Sequence, residues 1–261
     1  RWVLTWKAPE ATNSQPKAKA RLVVLGYQDP KLVEVARDSP TLSKEGRSIV
    51  LQTIASQRFP LGSFDIKTAF LRGKADASNP LAMEPPRELR AKLGLSDHQV
   101  CELVGNAYGR VDAPLLFYKE LCKQLKILGF KRHPLEPCVF YLESQTDEGH
   151  RKLHGILGVH VDDGICGGDQ YFDQQISALE KVLPFGSRKF TSFTFTGIKL
   201  EQLPDFSILA SQAEYLHQIP HIDIGRPRRE DPSVDWRHLQ LANEASPKDT
   251  KVCFAGFMER N

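Results

Sequence analysis

Three aspartates, in two separate segments of the chain, have residue types and spacing that could perform chemistry. Asp65 lies in SFDIK (63–67), and Asp162 and Asp163 are adjacent in VHVDDG (159–164). Each segment follows a run of β-forming residues, so each carboxylate is expected where a strand leaves a sheet. Adjacent carboxylates repel each other, and near an apolar core their charge is costly unless a counter-charge offsets it. The pattern therefore predicts a partner of opposite charge.

A divalent cation is the partner that these residue types favour. Mg²⁺ takes oxygen ligands and often shares them with phosphates. Two such ions roughly 4 Å apart can activate an attacking hydroxyl and stabilise a leaving pyrophosphate. If the two segments are neighbouring strands, we expect Asp65 and Asp162 side by side, with Asp163 close by. The alternative is that the aspartates are turn residues, since Asp followed by Gly164 is also typical of a tight hairpin.

The elements that must position these residues are predicted to be strands mixed with helices. Strands are predicted at 1–7, 20–27, 61–66, 99–104, 137–144, 153–161, 187–191 and 193–201. Helices are predicted after the N-cap Ser43, where Ile49, Val50 and Ile54 share a stripe, at 113–128, and at 170–182. Because the order has no strict βαβ repeat, it predicts an α+β fold around a central antiparallel sheet.

Composition excludes several classes of protein. The 261 residues are 41% hydrophobic and 26% charged, which is typical of a globular chain that can bury a core. No apolar run approaches the length of a membrane span, so no membrane partner is expected. The five cysteines form no CxxC pair and are expected to be reduced, buried thiols. The chain begins with Arg1 and is expected to be part of a longer product.

Charge gives only weak information about partners. The net charge of +3 does not by itself identify nucleic-acid binding. KAKAR (17–21), RELRAK (87–92) and GRPRR (225–229) are basic clusters that could meet phosphate, and solvated surface is the alternative for each. A zinc site at His150, His154 and His160 is not expected, because a turn followed by a strand does not place them on one helical face.

Six ordered blocks resemble the reverse transcriptase domain of copia-type LTR retrotransposons. They are KARLVVLGYQD (19–29), SFDIKTAFLRG (63–73), the block at 101–130 that contains YGRVDAP, EPCVFY (136–141), GVHVDDGICGG (158–168) and FTGIKL (195–200). The resemblance runs from about Trp2 to about Arg229. It implies a right-hand polymerase with fingers and palm at 1–229, and a divergent tail at 230–261 in which the thumb is incomplete or absent.

The resemblance also implies roles for individual residues. Asp65, Asp162 and Asp163 would be the catalytic palm carboxylates that bind Mg²⁺, with Mn²⁺ as an alternative. Phe70 would lie against the sugar of the incoming dNTP, where its bulk would exclude a 2′-hydroxyl; plain core packing is the alternative.

Four further residues would contact the substrates. Lys19 and Arg21 would grip the triphosphate, and the alternative is that they belong to an ordinary basic strand. Tyr108 and Gly109 would line the nucleotide and template pocket, where glycine would let the backbone approach the ligand. A structural role for Tyr108 is the alternative.

The function implied is that of an RNA-directed DNA polymerase. A primer 3′-hydroxyl would attack the α-phosphate of a dNTP on an RNA or DNA template-primer, inside a cell, in a cytoplasmic particle or the nucleus. RNase H and integrase domains of the polyprotein are not recognised in this chain. The chain departs from the family at His160, where Tyr is usual, and at Arg110 and Asp112, where Leu and Gln are usual. These departures leave open a truncated remnant that binds nucleic acid without catalysis. A metal-dependent nuclease or phosphatase is a further alternative.

Overall fold

The computed structural model describes residues 1–7, 15–74, 80–146, 149–219 and 252–254. The chain divides into two compact units. Unit 1 comprises 1–41, 66–131 and 175–186, and unit 2 comprises 42–65, 132–174 and 187–261. The expected boundary at residue 229, the basic cluster at 225–229 and nearly all of the expected tail lie outside the described residues.

Strands and helices alternate along the chain. The strands are β1 (Trp2–Lys7), β2 (Lys17–Leu22), β3 (Leu61–Ile66), β4 (Leu81–Met83), β5 (Cys101–Leu103), β6 (Lys131–Arg132), β7 (Val139–Gln145), β8 (Arg151–His160), β9 (Asp163–Gly168), β10 (Phe185–Phe190), β11 (Ser192–Phe195), β12 (Ile198–Gln202), β13 (Ile208–Ser211) and β14 (Val252–Phe254). The helices are α1 (Lys44–Ser56), α2 (Arg87–Leu93), α3 (Ala113–Ile127), α4 (Gln170–Val182) and α5 (Ala213–Gln218). Among the described residues, no helix combines the length and apolar character that a membrane crossing requires.

Antiparallel pairing dominates the sheets. The largest sheet has six strands in the order β10-β3-β9-β8-β7-β6, and its β3–β9, β9–β8 and β8–β7 pairs are antiparallel. A second sheet has the order β11-β12-β13-β14, while β1–β2 and β4–β5 form two-stranded sheets. The structure therefore confirms a mixed fold of helices and antiparallel sheets.

The predicted helices form where the sequence has both a cap and an apolar stripe. Ser43 caps α1 by accepting a hydrogen bond from the Gly46 N–H at 2.8 Å. Phe117, Leu121 and Leu125 are buried along α3. Ile49, which shares the predicted stripe, is 44% exposed. The buried face of α1 instead includes Val50, Leu51, Ile54 and Ala55.

Two strand predictions differ from the structure. The strand expected at 20–27 is β2, which ends at Leu22 because the following backbone bonds elsewhere in unit 1: Val24 N–H donates to Tyr108 O at 2.8 Å, and Gly26 N–H donates to Gly109 O at 3.1 Å. The single strand expected at 193–201 is a hairpin, because Thr196 and Gly197 both have positive φ and reverse the chain between β11 and β12.

The cysteines follow their expected pattern in part. Cys138 and Cys166 are buried free thiols, whereas Cys101 and Cys122 are half-buried. Burial raises the pKa of the Cys166 thiol to about 12, so this side chain is uncharged near neutral pH. Cys166 therefore packs as a small apolar group in β9.

The register of the β3–β9 pair depends on one close contact in unit 2. Phe64 and Gly164 are directly opposite each other, and a Cβ atom on Gly164 would lie 2.4 Å from the Phe64 ring. A larger residue at 164 would displace the ring, so only glycine lets the aromatic side chain cover this point of the ladder. A slip of one residue would turn the side chains of β3 to the opposite face.

We expect Gly164→Ala to lower the free energy of unfolding by about 1–3 kcal/mol, because the new methyl group overlaps the Phe64 ring. Chemical denaturation monitored by circular dichroism measures the change. Gly105→Ala is the matched control, since a Cβ atom there meets open space and should change stability by no more than about 0.5 kcal/mol. Equal stability of the two variants would contradict the role assigned to the Phe64–Gly164 contact.

Candidate active site at the β8–β9 turn

The fold brings the three aspartates together in unit 2. Asp65, the penultimate residue of β3, is directly opposite Asp163, the first residue of β9. Asp162 precedes it in the two-residue turn between β8 and β9. The expected proximity is thus observed, but the cross-strand neighbour of Asp65 is Asp163 and not Asp162. The reason is the register at Phe64 and Gly164, which leaves Asp162 one residue beyond the ladder.

Electrostatic repulsion among these carboxylates is visible at Asp163. Burial raises the pKa of the Asp163 carboxyl, and the negative charges of Asp162 and Asp65 raise it further. His160, which is opposite Asp163 in the β8–β9 pair, and Lys189 on β10 act in the other direction and only partly offset the effect. The cluster therefore favours any bound cation that neutralises it.

The turn that carries Asp162 is conformationally strained. Val161 has φ of 61°, a left-handed value that a β-branched side chain rarely adopts. The β8–β9 turn has only two residues, and such turns favour positive φ at their first position because the twist then matches that of the strands. Strain of this kind persists only where surrounding structure holds it, and it concentrates at functional sites. The hairpin thus keeps Asp162 at its apex at some conformational cost.

A hydroxyl group on β10 contacts the Asp65 carboxylate. Ser187 Oγ donates a hydrogen bond to Asp65 Oδ1. In the six-stranded sheet β10 is the neighbour of β3, so this contact depends on strand order. Neither Ser187 nor Lys189 is predicted from the sequence as a site residue, because nothing in the local pattern of 187–191 indicates which strand lies beside it.

The donor set fits Mg²⁺ only as a site shared with substrate. Among the residues that the structure describes, no group of three or more His, Cys, Asp or Glu side chains is arranged to hold a metal ion. Mg²⁺, however, is commonly held by one or two carboxylates, with phosphates and waters filling the other positions. Asp65, Asp162 and Asp163 supply hard oxygen donors and an unbalanced negative charge, which suits that shared arrangement. Their role as metal ligands stays a prediction.

The other expected substrate residues lie in unit 1. Phe70 and Tyr108 form an edge-to-face pair, with ring centroids 6.3 Å apart and an interplanar angle of 81°. Both residues are only half-buried, so neither is an ordinary core residue. Lys19 and Arg21 lie two residues apart on β2, and their side chains therefore project from the same face of the β1–β2 hairpin. Lys19 is exposed.

Gly109 is required by a backbone contact within unit 1. Its φ is 90°, and a Cβ atom there would lie 2.1 Å from the carbonyl oxygen of Val24. The close approach that requires glycine is therefore made to the chain's own backbone, where Gly26 N–H donates to Gly109 O at 3.1 Å. A direct contact of Gly109 with substrate stays a prediction.

The two departures from the family in YGRVDAP form a buried ion pair. Arg110 donates to Asp112 through Nε at 2.9 Å and Nη2 at 2.7 Å, and both residues are buried. Nη1 of Arg110 has no hydrogen-bond partner among the described residues. The pair lines a cavity of about 380 Å³ in unit 1, together with residues of 22–26 and 81–84. The substitutions thus replace an expected Leu and Gln by a mutually neutralising pair.

Comparison with known proteins places these features in a family. Residues 1–222 match the family described as reverse transcriptase (RNA-dependent DNA polymerase). The chain is 30% identical over 227 residues to the retrovirus-related Pol polyprotein from transposon RE1 of Arabidopsis thaliana, a match that covers 83% of the chain. It is 30% identical over 151 residues to the corresponding polyprotein from transposon TNT 1-94 of Nicotiana tabacum, covering 58% of the chain. These matches cover 14% and 11% of the respective polyproteins.

We expect Asp163→Asn to raise the melting temperature at pH 7, because it removes a carboxylate whose ionised form is disfavoured by burial and by two like charges. A raised folded-state pKa means that stability from this group is greatest below the unfolded pKa of about 3.9 and is lost as pH rises through the folded pKa. The gain should therefore vanish below about pH 4, and for a partly exposed site it should not exceed about 1 kcal/mol.

Melting temperatures measured by calorimetry would check this expectation. The two conditions are pH 7, well above the unfolded-state Asp pKa of about 3.9, and about pH 3.5 to 4, close to or below that pKa. Asp97→Asn removes an exposed carboxylate in unit 1 and serves as the control. A lower melting temperature for Asp163→Asn than for Asp97→Asn at pH 7 would contradict the repulsion inferred for the cluster.

Proposed function

The chain belongs to the reverse transcriptase (RNA-dependent DNA polymerase) family, and on that premise we propose that it extends a primer by RNA-directed addition of deoxynucleotides. The observation that carries the proposal is the convergence of Asp65, Asp162 and Asp163 at one end of the β3–β9 ladder. The family implies that the substrate is a nucleic-acid template-primer. The aspartate cluster is suited to a reaction at a phosphate group, because its negative charge favours cations such as Mg²⁺, which often share their ligands with phosphates.

The proposed reaction joins the primer 3′-oxygen to the α-phosphorus of a dNTP and releases pyrophosphate. Bound Mg²⁺, or Mn²⁺ in its place, would supply Lewis-acid stabilisation of the phosphate charge. Asp65 and Asp163, side by side, and Asp162 at the turn apex would hold it. The rate enhancement would then come from positioning and charge stabilisation, without a covalent intermediate.

Substrate selection is proposed for the aromatic pair and the basic strand of unit 1. Phe70 packs edge-to-face with Tyr108, and a ring positioned in this way could exclude a ribose 2′-hydroxyl by its bulk. Lys19 and Arg21, on one face of β2, could bind the triphosphate. Support for these roles comes from the resemblance and from the half-buried or exposed placement of the side chains.

The polyprotein context is also a proposal. The relatives that the chain matches are Pol polyproteins, and the chain spans 11% to 14% of the length of RE1 and TNT 1-94. We propose that the chain acts beside further enzymatic domains such as RNase H and integrase.

A non-catalytic remnant that binds nucleic acid is the second candidate. The buried Arg110–Asp112 pair favours it, since a charged pair occupies the block that the family is expected to use for the nucleotide and template pocket. His160 favours it too, because a histidine ring stacks less well than the usual tyrosine. This candidate predicts binding of a primer-template without extension.

We expect Asp162→Asn to abolish Mg²⁺-dependent dNTP incorporation on a homopolymer RNA with a DNA primer, because the turn apex loses a metal-binding charge. Incorporation of labelled dTTP on poly(rA)–oligo(dT) measures the loss, and Asp97→Asn is the control for removing any carboxylate. Equal extension by the wild type and Asp162→Asn would exclude the proposed role. Binding of the duplex without extension, even with Mn²⁺, would favour the remnant, and cut strands without extension would favour a nuclease.

We expect Ser187→Ala to raise the Mg²⁺ concentration needed for half-maximal incorporation several-fold, because the Asp65 carboxylate loses the hydroxyl that orients it. Ser187→Thr keeps a hydroxyl and should restore the wild-type Mg²⁺ dependence. A purely structural role for Ser187 would instead lower the melting temperature and leave the Mg²⁺ dependence unchanged.

A further inference from the structure

A second group of reactive side chains lies in unit 2 and shares no residue with the carboxylate cluster. Ser144 Oγ is 2.7 Å from His154 Nε2, and His154 Nδ1 is 2.7 Å from Asp169 Oδ2. A nucleophile bonded to a base, which is in turn bonded to an orienting carboxylate, is the arrangement that activates serine in acyl transfer. We propose that Ser144, His154 and Asp169 form an acyl-transfer site that cleaves small activated esters.

An irregularity in the β7–β8 pair brings His154 into this chain of contacts. Leu142 is opposite Gly155, and Glu143 is opposite Leu153, so His154 is left without a partner strand residue. The extra residue of a β-bulge re-aims its side chain, and bulges are frequent beside active sites. The role of His154 is not predictable from the sequence, because a bulge is set by the pairing of two strands.

Asp169 is held rigidly as the N-cap of α4. Its Oδ1 accepts a hydrogen bond from the Phe172 N–H at 3.1 Å, and its backbone carbonyl accepts the first helical bond from Asp173 N–H at 3.0 Å. The other carboxylate oxygen, Oδ2, is the one that meets His154. One residue therefore caps the helix and orients the imidazole.

The hydrogen bonds fix the orientation of the imidazole, with Nδ1 toward Asp169 and Nε2 toward Ser144. Burial acts to raise the pKa of Asp169, but hydrogen bonds from His154 and from the Phe172 N–H, with the positive charges of His154 and Lys152, outweigh it and lower the pKa. An ionised carboxylate only accepts hydrogen bonds, so His154 Nδ1 must be the donor to it. In neutral His154, Nε2 then carries the lone pair that accepts the Ser144 hydroxyl hydrogen.

The nucleophile is accessible and a cation lies near it. Ser144 is exposed, whereas His154 is only 8% exposed and forms an edge-to-face pair with Tyr171 at a centroid distance of 4.9 Å. Lys152 is directly opposite Ser144 across the β7–β8 pair, and its Nζ lies 3.7 Å from Asp169 Oδ2. Its ammonium group is the candidate to stabilise the negative oxygen that develops on an attacked ester.

The reaction conserves atoms and charge at each step. Ser144 Oγ forms a bond to the acyl carbon while its proton passes to His154 Nε2, and the alkoxide or phenoxide leaves and takes that proton. Water then attacks the acyl carbon and gives one proton to Nε2; the bond between the acyl carbon and Ser144 Oγ breaks, Oγ takes that proton back from Nε2, and the carboxylic acid leaves. Because Ser144 is exposed, the proposed substrates are small esters with good leaving groups that can approach it from solvent.

The test uses p-nitrophenyl acetate and the 261-residue chain. The wild type is expected to release p-nitrophenol with an initial burst stoichiometric with protein, and mass spectrometry of the trapped intermediate should find one acetyl group on Ser144. Ser144→Ala should abolish the burst and lower the rate by about 10²-fold. Ser192→Ala removes an exposed serine from another strand and should behave as the wild type.

Asp169→Asn separates catalysis from helix capping. Asparagine is as good an N-cap as aspartate, so the melting temperature should be retained, but the imidazole loses its orienting charge and the burst should disappear. Primer extension by Ser144→Ala should equal that of the wild type, so either proposal can fail without the other. An undiminished burst in Ser144→Ala, or equal rates for the wild type and Asp169→Asn, would overturn the proposal and leave the three residues a structural helix cap.

Discussion

The pairing of β3 with β9 is the constraint on which the candidate polymerase site depends. Phe64 covers Gly164 at this pair, where the residue at 164 can carry no side chain, and the next pair along the ladder is then Asp65 with Asp163. Two carboxylates are thereby placed side by side across the β3–β9 ladder. Asp162, one residue beyond the ladder, adds a third negative charge that the strands themselves do not require.

Two features of the aspartate cluster and its turn lower the stability of the folded chain. Like charges raise the pKa of Asp163, and Val161 adopts a backbone conformation that valine disfavours. The buried strands around the turn provide the stability that tolerates these costs. A cation bound between these carboxylates would offset the repulsion, as the proposed metal-assisted reaction requires.

Unit 1 shows how backbone contacts can explain motif residues that look like ligand contacts. Tyr108 and Gly109 accept hydrogen bonds from the segment that follows β2, and Gly109 has no room for a side chain because Val24 lies against it. Arg110 and Asp112 neutralise each other inside the same region. A glycine or a charged residue in a functional block can therefore be required by the fold before any substrate is considered.

Local sequence determined the helices α1, α3 and α4, the strands β7 and β8, and the identity of the acidic residues, because caps, apolar periodicity and β-forming runs act within a few residues of each other. Only the tertiary structure decided that Asp163 and not Asp162 is opposite Asp65, and that Ser187 reaches Asp65. It also decided that a bulge turns His154 toward Ser144 and Asp169. Each of these contacts depends on the order and register of strands that are distant in sequence. That register depends on which face of each strand is buried against the rest of the fold, and no local pattern identifies the partner strand.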